Sequence, residues 1–401
     1  MVLLRLLCVA ALAQALQPPR AGRPATRAEY STEEAAPYSD LMAKQHATTI
    51  ESVQKAKEEV YAAYAARIAD LEAQVAAARD GAPAPAAAEL GVAATAPAAE
   101  LTFLEYDDVP SSKWNPKAPL ASKIMSVKRA IGPDAPGEIC HVVMTTGGEL
   151  PYVEGQSIGV LPPGVDAAKG KPHQQRLYSI ASTRYGDDGA GTSVSLCVRR
   201  AVYVDPETGV EDPAKKGVCS NFLCDSRPGD PLPITGPVGK GMLLPDDDDA
   251  DIIMVATGTG VAPYRGFVSR LFAERTPAAA AYSGHAWLFF GGPTSDSVLY
   301  PELWRAAKEA KPDQFDLTLA ISREQKNANG GRMYVQDRIT EHADAIFDKL
   351  ANGAHLYLCG LKGMQPGIEA ALEAACEKKG LVFKDWVKAL KKEKRYHVEV
   401  Y

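Results

Sequence analysis

D-I-I-M-V-A-T-G-T-G-V-A-P, residues 251–263, is an apolar run that breaks off into a glycine turn and a proline. It reads as a strand feeding a turn and then a helix. Gly258 and Gly260 carry no side chains, so the turn can approach a phosphate or a flat ring closely. The helix that starts near Pro263 offers free N–H groups to an anion. The turn is not the G-x-G-x-x-G of standard dinucleotide folds, and its meaning depends on what surrounds it.

Towards the carboxyl end, further apolar strands H-A-W-L-F-F, F-D-L-T-L-A-I and A-H-L-Y-L-C follow at intervals of about thirty to forty residues. Helix-like stretches at 263–275, 300–310, 333–350 and 366–379 lie between or after them, and a last one at 384–394 precedes Y-H-V-E-V-Y. Strand alternating with helix predicts an α/β domain over 246–401, a five-stranded parallel sheet with helices on both faces. Ligands bind such sheets at the carboxyl ends of the strands.

Towards the amino end the texture differs. Between 117 and 245, short β-prone runs are cut by Gly and Pro: S-K-I-M-S-V, E-I-C-H-V-V-M, Q-S-I-G-V, R-L-Y-S-I-A, S-V-S-L-C-V and P-L-P-I-T-G. Six short strands with turns predict an antiparallel barrel. C-S-N-F-L-C-D, directly after Val218, reads as one brief helix.

Residues 81–116 form an Ala/Pro-rich linker, its tract 81–99 carrying no core pattern. In 29–80, Ile50, Val53, Val60, Tyr64, Ile68, Leu71 and Val75 gather on one helical face, which predicts a long amphipathic helix. It is a solvated spacer or, as the functional alternative, a docking element that tethers the chain to a membrane complex or to itself. Residues 1–28 read as an address: an apolar run ending in A-L-A, then Arg20, Arg23 and Arg27 without an acid. A signal followed by a transit-like segment suits a plastid reached through the secretory route. A plain secreted protein is the simpler alternative.

Composition narrows the chemistry. With 401 residues, 46% hydrophobic and 23% charged, the chain has room for two or three structural units. A net charge of -6 argues against general nucleic-acid binding. Seven scattered cysteines without a C-x-x-C pair argue against a disulfide framework, a zinc site or a plant-type iron–sulfur cluster. Redox chemistry here would need a bound carrier such as a flavin. No apolar run is long enough to span a bilayer.

Two further motifs carry chemistry. Ser322 and Arg323 follow the third apolar strand, and Arg332 and Tyr334 come ten residues on. A hydroxyl with two guanidinium groups cradles a dianionic phosphate, and Tyr334 could stack on adenine; that combination selects NADP over NAD. Ordinary surface charge pairing is the alternative. In R-L-Y-S-I-A-S, Arg176 and Tyr178 share a strand face, so a guanidinium could hold pyrophosphate while a phenol lies along a ring.

R-L-Y-S-I-A-S, S-L-C-V-R-R, G-V-C-S-N-F-L-C-D, T-G-P-V-G-K, A-T-G-T-G-V-A-P-Y-R-G-F, S-R-E-Q, Y-L-C-G-L-K-G-M and the terminal V-E-V-Y stand in the order typical of plant-type ferredoxin–NADP⁺ reductases. Over residues 117–401 the chain resembles that family. The resemblance implies an FAD-binding barrel followed by an NADP-binding α/β domain. Arg176, Leu177, Tyr178 and Ser179 match the flavin strand. Cys197, Val198 and Tyr203 match adenine-side contacts, and Val218, Cys219 and Ser220 open the helix that holds the flavin pyrophosphate. Arg199 matches a contact to the NADP pyrophosphate. Thr257, Gly292 and Pro293 match the nicotinamide half, Ser322, Arg323, Arg332 and Tyr334 the 2′-phosphate and adenine, and Gly360 and Leu361 the adenosine wall.

The resemblance also implies a mechanism. Ferredoxin gives electrons singly and NADP⁺ takes a hydride, with non-covalent FAD between them. Ser179, Cys359 and Glu399 resemble the family trio at the flavin N5, with a proton route from Glu399 through Ser179. Tyr401 covers the second flavin face and gates nicotinamide. Ferredoxin, or flavodoxin in its place, is the implied acidic partner, for which Lys384, Lys388, Lys391, Lys392, Lys394 and Arg395, with Lys123, Lys128 and Arg129, offer positive charge. The plastid stroma or the stromal face of the thylakoid is the implied location. A reductase of the same architecture serving another acceptor, or running in reverse, is one rival; a catalytically idle scaffold is another.

Overall fold

A computed structural model of the chain describes residues 104–166 and 169–401. The targeting segment, the helix expected over 29–80 and most of the linker lie outside the described residues. From Leu104 the chain is already laid on the barrel: Ser112 N–H donates to the Pro237 carbonyl at 2.6 Å, and the Trp114 indole donates to the Glu149 carbonyl at 3.1 Å.

Six strands build the first domain: β1 (Leu120–Arg129), β2 (Ile139–Thr145), β3 (Ser157–Val160), β6 (Arg176–Ser179), β7 (Ser193–Arg199) and β8 (Pro231–Val238). A small hairpin, β4 (Val165–Asp166) with β5 (Lys171–Pro172), stands outside the sheet. The order is β6-β3-β8-β1-β2-β7, antiparallel throughout. A bridge between Ile180 and Leu196 brings the two outer strands together and closes the barrel. Alternate residues turn inwards, and Leu120, Ile124, Val142, Met144, Ile158, Leu196 and Ile234 fill the core. Helix α1 (Val218–Asp225) packs on β2 and β7.

The second domain is a parallel sheet of β9 (Ile252–Thr257), β10 (Ala286–Gly292), β11 (Phe315–Ile321), β12 (His355–Gly360) and β13 (Tyr396–Val400), in the order β11-β10-β9-β12-β13. Ile252 and Met254 point to one face, where Phe267 covers them. Ile253 and Val255 point to the other, against Ile339, Ile346, Ile368 and Leu372. The order reverses between β9 and β12, and the crevice at such a reversal is where doubly wound sheets take ligands.

The helices are α2 (Ala262–Val268), α3 (Pro277–Ala281), α4 (Pro301–Ala310), α5 (Val335–Glu341), α6 (Ala343–Ala351), α7 (Gln365–Lys378) and α8 (Phe383–Lys392). The single helix expected over 333–350 is two, divided at His342, whose ring packs edge-on against Trp287 with centroids 5.0 Å apart. That contact comes from a distant strand, so local periodicity could not reveal it. Residues 263–275 also split, α2 widening into a π turn over Ser269–Ala273. Tyr300, expected to open α4, instead caps it in a left-handed conformation, with Pro301 at the first helical position.

Candidate active site

A cavity of about 1180 Å³ opens between barrel and sheet, at the carboxyl end of β9. Behind its wall, glycines let the strand ends pack closely. A Cβ added at Gly260 would lie 2.2 Å from the Cys359 carbonyl oxygen, so only hydrogen fits where the turn meets β12. Gly360 has φ +134°, and a Cβ there would meet Thr257 Oγ1 at 2.5 Å. The Leu361 amide donates to that same Thr257 oxygen at 2.9 Å. These contacts lock the strand ends together on either side of the topological reversal.

Ser179, Cys359 and Glu399 converge here from different parts of the chain. Glu399 pairs with Cys359 in register, and Ser179 pairs with Ser157 across β3. The Ser179 hydroxyl stands beside both the Glu399 carboxyl and the Cys359 thiol and lowers the titration of each. Ser157 Oγ donates to Glu399 Oε1 at 3.4 Å. Burial pushes the Glu399 carboxyl above the ordinary range, against the pull of the two serines. Burial likewise pushes the Cys359 thiol up, with the nearby Glu399 charge adding to it. A raised carboxyl that holds its proton longer, beside a hydroxyl on the cavity wall, is suited to proton delivery.

Two phenols face the cavity. Tyr178 stands on β6, its hydroxyl raised by burial and by the neighbouring Cys219. Tyr401 folds back over the glycine turn: its amide donates to the Gly360 carbonyl at 3.0 Å, and its hydroxyl shares a hydrogen bond of 2.7 Å with Thr259 Oγ1. The residue remains 61% exposed.

Arg176, Leu177, Cys197, Arg199, Val218, Cys219 and Ser220 line the barrel side of the cavity. Thr257, Gly258, Gly292, Pro293, Ser322, Arg323, Tyr334 and Leu361 line the sheet side. The Ser322 and Arg323 amides donate to the Gly292 and Pro293 carbonyls, each at 2.9 Å.

Six expected site residues do not line this wall. Cys359 is buried just behind it, and Gly260 and Gly360 serve as packing points. Val198 points into the barrel core, because in a strand its neighbours Cys197 and Arg199 take the cavity face. Tyr203 stands on an excursion from the barrel under the Lys215 ammonium, 4.6 Å from its ring centroid. Arg332 is exposed, in a bridge with Lys326. Ser157 and Thr259 join the site as well, through Glu399 and Tyr401, and in the sequence only their positions in Q-S-I-G-V and T-G-T-G hint at this.

A family model described as an oxidoreductase NAD-binding domain matches residues 254–370. The embryo isozyme of chloroplastic ferredoxin–NADP reductase from Oryza sativa subsp. japonica is 56% identical over 303 residues, 74% of this chain and 80% of that protein. The chloroplastic ferredoxin–NADP reductase of Chlamydomonas reinhardtii is 55% identical over 302 residues, 75% of this chain and 85% of that protein. Among solved structures, a ferredoxin–NADP⁺ reductase from Plasmodium falciparum with 2′P-AMP superposes with a TM-score of 0.57 at 27% identity, over 72% of this chain and 99% of that one.

Proposed function

The chain belongs to the ferredoxin–NADP reductase family, and from that premise we infer that the cavity is where this plastid oxidoreductase passes electrons from ferredoxin to NADP⁺ through FAD. The cavity walls fit that cofactor. Two phenols face it, the Arg176 guanidinium stands at its edge, and the first turn of α1 presents main-chain N–H groups that no helix satisfies internally. Bound FAD supplies the exchange between one-electron and two-electron chemistry.

The chain's own residues do the rest. Arg176 and the Val218–Ser220 turn would hold the flavin pyrophosphate, and Tyr178 and Tyr401 would offer their phenols to its ring. Cys197 and Leu177 border it, while Val198 and Tyr203 support the adenine side from behind and from the rim. Ser322, Arg323 and Tyr334 grip the 2′-phosphate and adenine of NADP, Arg332 adding charge from outside the wall. Arg199 meets the pyrophosphate. Thr257, Gly258, Gly292 and Pro293 shape the nicotinamide half, and Gly360 and Leu361 the adenosine wall. Glu399 holds a proton and passes it to Ser179 Oγ; Cys359 sets the pocket's shape from beneath; Tyr401 yields its place to nicotinamide.

The observation that carries this reading is Ser179 beside Glu399 and Cys359, at a wall faced by two tyrosines. Purified protein should be yellow, with oxidised-flavin bands, and should oxidise NADPH with ferredoxin as acceptor. Colourless protein that refuses flavin would end the proposal.

Ferredoxin docks through Coulomb attraction to exposed lysines. Lys384, Lys388, Lys391 and Lys392 project from α8, followed by Lys394. Arg395 is committed elsewhere, donating to the Leu350 and Ala354 carbonyls at 2.7 and 3.0 Å. Turnover with ferredoxin falls steeply with salt on this account, while dye reduction does not. Peripheral thylakoid association through the 29–80 helix is the remaining part, and equal recovery of partners without residues 30–100 would exclude it.

A further inference from the structure

Two cysteines 84 residues apart in the chain meet where the last turn of α1 rests on β2. Cys140 stands on β2 and Cys224 in the last turn of α1; both are buried, with 2% and 9% exposure. Their sulfurs and a Glu138 carboxylate oxygen lie within 4.8 Å of one another. Cys140 Sγ donates to Glu138 Oε1 at 3.3 Å, and the Cys224 thiol reaches the Val198 carbonyl at 3.9 Å.

The surroundings favour thiol chemistry over a cation. Arg200 binds both oxygens of Glu138, at 2.8 and 3.2 Å, and Asp225 at 2.9 Å. The carboxylate is therefore already engaged, and a guanidinium beside the sulfurs opposes a metal ion while favouring a thiolate. The two sulfurs differ accordingly. The neighbouring Cys140, with Arg200 in support, draws the Cys224 thiol down, whereas the closeness of Cys224 and burial push Cys140 up. One attacking sulfur and one resolving sulfur stand side by side.

We propose that Cys140 and Cys224 are a redox modification site: a hydroperoxide converts them to a disulfide that ties the end of α1 to β2. The Cys224 thiolate attacks one peroxide oxygen, the O–O bond breaks, and hydroxide leaves, giving a sulfenic acid. Cys140 then attacks the Cys224 sulfur; the S–O bond breaks, and the oxygen leaves as water with the Cys140 proton, accepted through Glu138. Overall, two thiols and hydrogen peroxide become one disulfide and two waters.

The link would be felt at the cavity. Ile139, next to Cys140, lines it, and so do Val218, Cys219 and Ser220 in the first turn of the same helix that ends near Cys224. Tying the last turn to the barrel restrains the first turn, which holds the flavin pyrophosphate in the reading above.

Reduced FAD-loaded enzyme treated with hydrogen peroxide, alkylated in denaturant and digested should yield Cys140 and Cys224 in one peptide pair, lighter by two hydrogens and separated by dithiothreitol. Release of FAD, followed by its fluorescence, should slow by about tenfold on oxidation, equivalent to ~1.4 kcal/mol. Cys140→Ser should keep the dye-reduction rate of the reduced enzyme, form no link and accumulate over-oxidised Cys224. Survival of both thiols, a link from Cys224 to any other cysteine, or over-oxidation of Cys224 in the unsubstituted chain would overturn the proposal. So would an FAD release rate unmoved by oxidation.

Discussion

The Tyr401 hydroxyl and Thr259 Oγ1 share a hydrogen bond of 2.7 Å, so the phenol over the cavity is anchored to the middle residue of the glycine turn. Any ligand that takes the place of the ring must break that bond as well as its contacts. A neutral hydrogen bond contributes about 1 kcal/mol. Thr259→Val should therefore ease displacement: the KM for NADP⁺ falls by up to about fivefold, and discrimination against NAD⁺ weakens. Tyr401→Ser should move both in the same direction and further. Steady-state kinetics with each nucleotide check this, and an unchanged NADP/NAD ratio in both variants would reject the gate.

Glu399→Gln separates rate from stability. Hydride delivery should slow by about tenfold or more, because the amide cannot relay a proton. The fold should gain. A carboxyl whose native value lies above its unfolded one costs stability as pH rises through that interval and nothing well below it. The variant's urea midpoint should thus exceed that of the unsubstituted protein at neutral pH and match it in acid.

Gly260→Ala places a methyl carbon 2.2 Å from one backbone atom and 2.5 Å from another, neither at the end of a flexible side chain. Overpacking of this kind costs about 1–3 kcal/mol, and rigid neighbours put it at the upper end. Thermal melting should show the loss, together with weakened NADP binding. Gly258→Ala meets no atom within 4 Å and strains only the backbone, at φ +54°. It should cost less.

Acid lability should begin at a histidine pair. His397 Nδ1 donates to the Gly241 carbonyl at 2.7 Å, and His355 Nδ1 lies 3.4 Å from His397 Nε2. Burial, then the neighbouring His397, lowers His355 from 6.5 to about 4. The unfolded chain then binds more protons between those values, so the contribution is complete above the unfolded value and lost as pH falls towards 4. His355→Asn should flatten the urea midpoint across that window.

Arg323→Ala should raise the KM for NADPH by about tenfold or more and leave that for NADH nearly unchanged, since a charge-assisted bond to phosphate contributes about 1.5–3 kcal/mol. Arg332→Ala should do less, because that side chain stands off the wall.

What the chain discloses in one dimension is whatever a short segment decides for itself. The glycines of 258–260, the strand period of 176–179 and the alternation after 246 are such segments, and barrel, sheet and most of the cavity wall follow from them. Contacts made across the chain are invisible there. Thr259 finds Tyr401 at a separation of 142 residues, and Ser157 finds Glu399 at 242. The break at His342 depends on Trp287 in the same way. Val198 is a different case: Cys197 and Arg199 cannot share a face with the residue between them, so strand alternation already argued that its side chain turns away from the site.

Strand β6 bears Arg176, Tyr178 and Ser179, yet its ladder runs along β3 alone, with the Ile180–Leu196 bridge beyond its end joining it to β7. The cofactor-facing strand is thus the seam of the barrel. Its amides should exchange with deuterium early once the cavity is emptied, and a parted seam leaves unpaired backbone open to a second molecule. Flavin loss and irreversible aggregation are then successive stages of a single failure.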